Sequence, residues 1–306
     1  MIHVAYCFDR NYQQHFGAAV TSLLLNFDGP GEDLCIHVVT DAPDADLLAK
    51  VERLRQVFRA TIKTYSPAHE SLQWLAGLMV QREKPTYLTQ ASYFRLLLPQ
   101  LLPESVDKVL YLDSDTVVLS SVRAVFDEDV ADSALAAVTD IDSARLSGYW
   151  SLDRYINSGV MLMNLRRWRE RGYARQCIEF AEQNAIKCRL FDQDAINGVM
   201  AGDIQLLPAR WNVQVRQADP EAADSSDAAI VHYIGVGKPW QAWYRNPLGV
   251  YYWRYLDVSP WRGAEPVPPR NGKEMNRLAK LQMKNGMYRK AIRSYLASRR
   301  LRARGA

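Results

Sequence analysis

Long apolar runs are missing from this sequence. No stretch approaches the roughly 20 apolar residues that a membrane-crossing helix requires. The opening run Ile2–Phe8 is cut off by Asp9 and Arg10 and is too brief for the apolar region of a signal peptide. The chain is therefore expected to stay in the cytosol. Cysteine is scarce: Cys7, Cys35, Cys177 and Cys188 form no CxxC pair and no recognisable zinc spacing. They are expected as reduced, mostly buried thiols, with neither a disulfide nor a metal cluster. Internal repeats are absent, which excludes stacked-repeat architectures.

What is present is an ordinary globular composition, with 48% hydrophobic and 24% charged residues over 306 positions. That excludes global disorder and is enough for one large α/β domain or two small ones. The net charge of +4 conceals an asymmetry. Residues 270–306 carry 12 Lys and Arg against the single acid Glu274, whereas residues 1–269 carry 26 basic and 33 acidic side chains. A mildly acidic body with a strongly basic tail points to docking on a polyanion, either an anionic membrane surface or nucleic acid.

Along the chain, Ile2–Phe8, Cys35–Val39 and Ala60–Tyr65 read as strands. The intervening segments Gln13–Leu25 and Asp44–Arg59 read as helices, the second with Leu47, Leu48, Val51, Leu54, Val57 and Phe58 at helical spacing. This alternation predicts a mostly parallel sheet with helices on both faces. A helical section ends in Tyr93–Leu98, and Lys108–Asp113 reads as a central buried strand. Leu135–Val138, Ile156–Asn164, Gln205–Pro208 and Ala229–His232 follow as strands, with Tyr173–Lys187 an amphipathic helix. Pro260–Pro269 holds four prolines and reads as a linker.

The pair Asp113 and Asp115 sits where the central strand ends. Residues i and i+2 of an extended chain point to the same side, and ligands bind at the carboxyl ends of strands in open α/β sheets. Two uncompensated carboxylates there would repel, and a bound cation would relieve them. A bare Asp-x-Asp is equally what an acidic strand-to-turn junction produces. What sets this pair apart is the apolar sequence on both sides, ending in Thr116–Leu119.

Other segments point the same way. His232-Tyr-Ile-Gly-Val-Gly-Lys-Pro-Trp240 combines an imidazole, two glycines and a cation. Each alone would pass as an ordinary turn, but together they offer a metal ligand, close backbone approach and a phosphate partner. Asp192-Gln193-Asp194 stands near a helix start, where capping and substrate binding are both open. Asn157-Ser-Gly159 interrupts an apolar segment. Arg95, inside Tyr93–Leu98, either snorkels or meets a phosphate.

In order and spacing, Phe8–Tyr12, Ser92–Leu96 with Leu110–Asp115, Asn157–Val160, Asp192–Asp194 and His232–Trp240 resemble family 8 of the glycosyltransferases. The nearest type is the bacterial lipopolysaccharide and lipooligosaccharide galactosyl- and glucosyltransferases. The resemblance runs from Val4 to about Trp240. It implies a GT-A fold with a Rossmann-like sheet, UDP-galactose or UDP-glucose as donor, a saccharide acceptor, Mn²⁺ (or Mg²⁺), and retention of anomeric configuration. It also implies that Asp113, Asp115 and His232 hold the metal, with Asp9 and Asn11 near the uridine and Ser114 in the donor site. Gly235 and Lys238 would take the diphosphate, and Arg95, Asn157, Asp192 and Gln193 would surround the sugar. Asp140 matches a sugar-contacting position. Gln193 stands where a nucleophile would be sought, and an amide is a poor one. Front-face attack, with a UDP oxygen helping to deprotonate the acceptor, is therefore expected, the reacting residues being Gln193, Asp192 and Asp140. The alternative is a non-catalytic nucleotide-sugar or glycan-binding protein. A sugar nucleotidyltransferase would show a Gly-rich N-terminal phosphate loop, and Asp9–Tyr12 has no glycine. Two departures stand out: Gln241 where many relatives carry His, and Ser66–Thr89, which matches nothing and is expected to border the acceptor.

Residues 1–262 are accordingly expected to form the catalytic domain. Residues 263–306 would be a Pro-rich linker and a basic amphipathic helix, placing a cytoplasmic protein peripherally on the inner face of a membrane, near a lipid-linked acceptor. No nucleic-acid recognition motif accompanies the charge.

Overall fold

The computed structural model describes residues 1–80, 90–217 and 226–304. β1 (Ile2–Phe8) turns into α1 (Gln13–Asn26), followed by β2 (Leu34–Thr40), α2 (Ala45–Phe58), β3 (Thr61–Tyr65) and α3 (His69–Val80). A 3₁₀ stretch at Gln90–Leu97 and α4 (Leu98–Leu101) precede β4 (Lys108–Leu112) and β5 (Thr116–Val118). Next come β6 (Leu135–Thr139), α5 (Ser143–Trp150), β7 (Ile156–Asn164), α6 (Leu165–Arg171) and α7 (Tyr173–Gln183). α8 (Asp192–Met200), β8 (Ile204–Leu206), β9 (Val213–Val215), β10 (Ile230–Tyr233), α9 (Gly249–Asp257), α10 (Gly272–Lys284) and α11 (Tyr288–Arg304) follow.

The main sheet has the order β3-β2-β1-β4-β7-β6-β8. It is parallel except where β7 runs antiparallel to β4 and β6. β2 and β7 are buried along their whole length, as continuous apolar runs require when both faces are covered. One face packs on α1, α2 and α9 together with a small sheet of order β5-β10-β9. The other carries α6, α7, α8 and the Gln90–Leu97 stretch.

Local chemistry sets the boundaries. Asp44 caps α2 by accepting from the Leu47 amide. α7 stops at Gln183, short of the predicted Lys187: Asn184 leaves helical geometry at φ −115 and its side-chain amide donates to the Phe180 carbonyl at 2.9 Å. Residues 81–89, within the segment expected to border the acceptor, lie outside the described residues.

Two expectations for the C-terminal part change. The Pro-rich stretch is docked: the Val267 amide donates to the Trp240 carbonyl at 2.8 Å and its carbonyl accepts from Ala242 at 3.0 Å. Val267 lies between prolines and is the residue there that keeps an N–H to pair. The basic tail is two helices. Gly286 adopts φ +73, a left-handed conformation that ends α10 and lets α11 fold back on it. Ser298 then bonds the Gly272 carbonyl across the hairpin at 2.6 Å.

Candidate active site at the carboxyl ends of the strands

Strand register assembles the site. β10 pairs antiparallel with β5 so that His232 faces Thr116, and the Tyr233 amide bonds the Asp115 carbonyl at 3.0 Å. The Asp113 amide bonds the Gly159 carbonyl at 2.8 Å, bringing Asn157, Ser158 and Gly159 of β7 alongside. Asp113, Asp115 and His232, 119 positions apart in sequence at the extremes, thereby present donor atoms all within 4.8 Å of one another. His232 Nε2 lies 3.3 Å from Asp115 Oδ1 and 3.7 Å from Asp113 Oδ2.

Three observations fit a divalent ion here. Asp115 Oδ1 is buried without a hydrogen-bond partner. A Cβ at Gly159 would lie 2.2 Å from His232 Cε1 and 2.7 Å from Asp113 Oδ2, so glycine leaves the space open. Around the cleft, the carboxylates of Asp113, Asp115, Asp140, Asp142 and Asp192 face the cations Arg95, Arg145, Arg216 and Lys238, which leaves an excess negative charge that a bound cation would offset.

The imidazole is also oriented as a ligand needs. Asp140 Oδ2, an acceptor, takes hydrogen bonds from Asn157 Nδ2 at 3.0 Å and Gln193 Nε2 at 3.1 Å. Asn157 Oδ1 must then accept, and does so from Asn212 Nδ2 at 2.9 Å. Asn212 Oδ1 is left to accept from His232 Nδ1, 3.1 Å away. The polarity of this chain places the imidazole proton on Nδ1 and aims the Nε2 lone pair at the two carboxylates.

Arg95 was expected at the sugar or a phosphate. It lines the cleft, but its guanidinium is committed to protein: 2.8 Å to Asp113 Oδ1, 3.1 Å to Asp192 Oδ2 and 2.8 Å to the Ser158 carbonyl. It also stacks over Tyr111, 4.5 Å from the ring centroid, and Tyr111 donates to Asp113 Oδ1 at 2.6 Å. Arg95 thus braces two carboxylates from two elements. Burial pushes the Asp192 carboxyl up to about 6; Arg95 opposes the shift and Asp113 adds to it. Burial also penalises charge on Asp115, but Lys238, 2.5 Å from Oδ2, outweighs it and holds that carboxyl well below the usual range.

Neither Asp192 nor Asp194 caps α8. Phe191 holds the N-cap position at φ 55, and this strained backbone turns Asp192 and Gln193 into the cleft. Asp194 is structural, accepting from Trp150, Tyr155 and the Leu190 amide. Gln193 is bonded at both ends of its amide, to Ser158 N and Asp140.

The cleft has two lobes sharing Ser92, Arg95, Asp113 and Asp115. One is lined by Phe8, Asp9, Tyr12 and Ser114, whose buried Oγ has no partner among the described residues. Asn11 is exposed, and its backbone amide donates to Oδ1 of the capping Asp9 at 2.9 Å. The other lobe holds Asp140, Asn157, Asp192, Gln193, His232, Gly235 and Lys238. Gly235 has φ +76, as the turn after β10 requires. Gln241, the departure noted above, staples that turn by accepting from the Lys238 amide and donating to the Val236 carbonyl. Sequence reasoning passed over Asn212 and Tyr111. A polar residue between Trp211 and Val213 was the available signal for the first.

Comparison with known proteins is consistent with this geometry. The family model Glycosyl transferase family 8 matches residues 3–244, and Glycosyl transferase family 8 C-terminal matches residues 247–297. General stress protein A of Bacillus subtilis (strain 168) is 26% identical, covering 85% of this chain and 95% of its own. Lipopolysaccharide 1,3-galactosyltransferase of Salmonella typhimurium is 26% identical over 96% of this chain and 89% of its own. Lipopolysaccharide 1,2-glucosyltransferase of Escherichia coli (strain K12) is 27% identical over 87% and 80%. Among solved structures, galactosyltransferase LgtC in complex with donor and acceptor sugar analogs superposes with a TM-score of 0.70 at 22% identity, covering 84% of this chain and 96% of that one. The architecture is therefore the GT-A-like α/β fold.

Proposed function

This chain belongs to glycosyl transferase family 8, and on that premise we propose that it moves a hexose, galactose or glucose, from a UDP-sugar to a saccharide acceptor with retention of configuration. The names of the Salmonella and Escherichia relatives favour these hexoses and a lipopolysaccharide or other surface glycan as the product. The observation that carries the reading is the meeting of Asp113, Asp115 and His232 around an unpartnered buried carboxylate oxygen, with Lys238 beside it.

Asp113, Asp115 and His232 would hold Mn²⁺, or Mg²⁺ in its place. When bound, such an ion supplies Lewis acidity to a departing diphosphate. Lys238 adds a point charge next to the same carboxylates, and Gly235 lets backbone approach the phosphates. Asp9 and Ser114 line the lobe that suits the nucleoside, with Asn11 at its rim. Asp140, Asn157, Asp192 and Gln193 line the lobe that suits the hexose. Among the described residues, the carboxylates of the hexose lobe are engaged: Asp192 is tied to Arg95 and Ser158, Asp140 accepts from two amides, and Asp142 pairs with Arg145 and Arg216. That supports attack from the leaving-group face, with a UDP oxygen taking the acceptor proton.

α11 leaves Tyr288, Ile292, Tyr295 and Leu296 exposed among arginines, a stripe suited to an anionic lipid interface and hence to a lipid-linked acceptor. No helix among the described residues is long and apolar enough to cross a membrane.

The deciding measurement is UDP release from UDP-galactose and UDP-glucose with and without Mn²⁺. Release that requires the ion, and that falls about 100-fold or more in Asp115→Ala, is expected. Tight UDP-sugar binding with no release under any condition would instead identify a non-catalytic binding protein.

A further inference from the structure

The cysteines are expected as reduced, mostly buried thiols, and the sheet brings one of them to two histidines far from the cleft. β1 and β2 pair in parallel with His3 opposite Cys35 and Ala5 opposite His37. Side chains alternate along a strand, so His3, Cys35 and His37 share one face of the sheet. Their donor atoms lie within 4.8 Å of one another. His3 is near the start of β1, whereas the cleft residue Asp9 lies beyond its end.

We propose that His3, Cys35 and His37 form a second metal site, selective for a zinc-class ion. A tetrahedral zinc with Zn–N near 2.05 Å and Zn–S near 2.3 Å sets its ligands about 3.4 Å apart for N···N and about 3.6 Å for N···S. Here His3 Nδ1 is 3.0 Å from His37 Nε2, and Cys35 Sγ is 3.6 Å from that same nitrogen. The three side chains need only small adjustments to receive an ion. The outer contact is also in place: His37 Nδ1 meets the Tyr65 hydroxyl of β3 at 3.0 Å, so Nε2 is the nitrogen turned toward the cluster. Cys35 and His37 are buried, whereas His3 is half-buried and leaves a route for entry and a fourth position for water. Thiolate and imidazole donors favour zinc, cobalt or copper over the oxygen-seeking Mg²⁺, while the aspartate-rich cleft has the opposite preference. The ion would cross-link the first two strands of the sheet. Lys63, on the strand beside His37, opposes a cation and sets the affinity below that of a four-ligand structural zinc site.

Co²⁺ titration of the full-length protein tests this, because a sulfur ligand gives a near-ultraviolet charge-transfer band that the sulfur-free trio in the cleft cannot give. One equivalent of Co²⁺ should produce that band with tetrahedral visible absorption, and Zn²⁺ should abolish it. The signal should persist in Asp115→Ala and in Cys7→Ser, the latter removing the thiol that lines the cleft. It should vanish in Cys35→Ser and require roughly tenfold or more Co²⁺ in His3→Gln, whose half-exposed side chain is least needed for folding. Absence of the band in the wild-type protein, or its survival in Cys35→Ser, would overturn the proposal. Loss in Cys7→Ser with retention in Cys35→Ser would move the sulfur ligand to the cleft.

Discussion

At the scale of single residues, the cleft depends on hydrogen-bond polarity as much as on charge. Asp140 can only accept, and that fact propagates through Asn157 and Asn212 to decide which nitrogen of His232 carries its proton. Asn212→Leu keeps the approximate volume but removes the acceptor for Nδ1–H. The imidazole is then free to take the other tautomer or rotate, and affinity for the divalent ion should fall roughly 10–100-fold, as is usual when an outer-shell partner is lost. Turnover at saturating Mn²⁺ should recover most of the wild-type value, because no donor to the substrate has been removed. Activity measured against Mn²⁺ concentration separates the two: an unchanged half-saturation point would show that Asn212 does not orient the ligand. Asp113, Asp115 and His232 were legible in the sequence because acidic and imidazole side chains are conspicuous in apolar strands. Asn212 was not, because its meaning comes from a β-strand neighbour 55 positions away and a histidine 20 positions away.

Elements were legible where burial dictated pattern. β1, β2, β4 and β7 appear in the sequence as apolar runs, and α2 as a periodic one. What the pattern could not show was the reversal of β7, since an antiparallel buried strand has the same composition as a parallel one. Nor could it show the hairpin of α10 and α11, where a single left-handed glycine breaks a continuous amphipathic signal. The contact of α1 with the loop after β10 is likewise invisible in sequence. His15 stacks on Trp240 with ring centroids 3.5 Å apart and meets the Tyr252 hydroxyl at 2.8 Å. Burial pushes His15 from 6.5 down to about 3, and burial with help from His3 and Lys63 does the same to His37. Between those values the unfolded chain binds protons that the native protein refuses, so stability is full above about pH 6.5 and falls as pH drops. Each such histidine contributes up to about 1.4 kcal/mol per pH unit in that window. His15→Gln should lower stability at neutral pH through the lost stacking, yet flatten the decline between pH 6 and pH 5 by about one proton's worth. Urea unfolding at both pH values provides the slope, and an identical slope in the variant would mean that His15 is protonated in the native state.

On the scale of the whole molecule, charge and catalysis are segregated. The body carries the acidic cleft at the carboxyl ends of its strands, while residues 270–306 carry a net charge of +11 from 12 basic side chains and one acid. The segment between them is held in place, since Val267 pairs with the backbone immediately after Lys238 and Pro239. The hairpin therefore starts at a defined position next to the loop that bears Lys238. An anionic bilayer attracts each nearby Lys or Arg by about 1 kcal/mol, and the exposed Tyr288, Ile292, Tyr295 and Leu296 can add burial in the interface. Docking by this surface would bring a lipid-linked saccharide to the protein without a membrane-crossing segment. Co-sedimentation with phosphatidylglycerol vesicles should be strong at low salt and weak at high salt, and should disappear on truncation after Arg270. Ile292→Glu provides a finer test, because it removes apolar contact while leaving all 12 cations in place. Attraction by charge alone would leave that variant with most of its binding at low salt, whereas insertion of the stripe predicts a loss larger than one added negative charge explains. Equal sedimentation of the truncated and complete proteins would separate the basic hairpin from membrane docking and leave its charge to another partner.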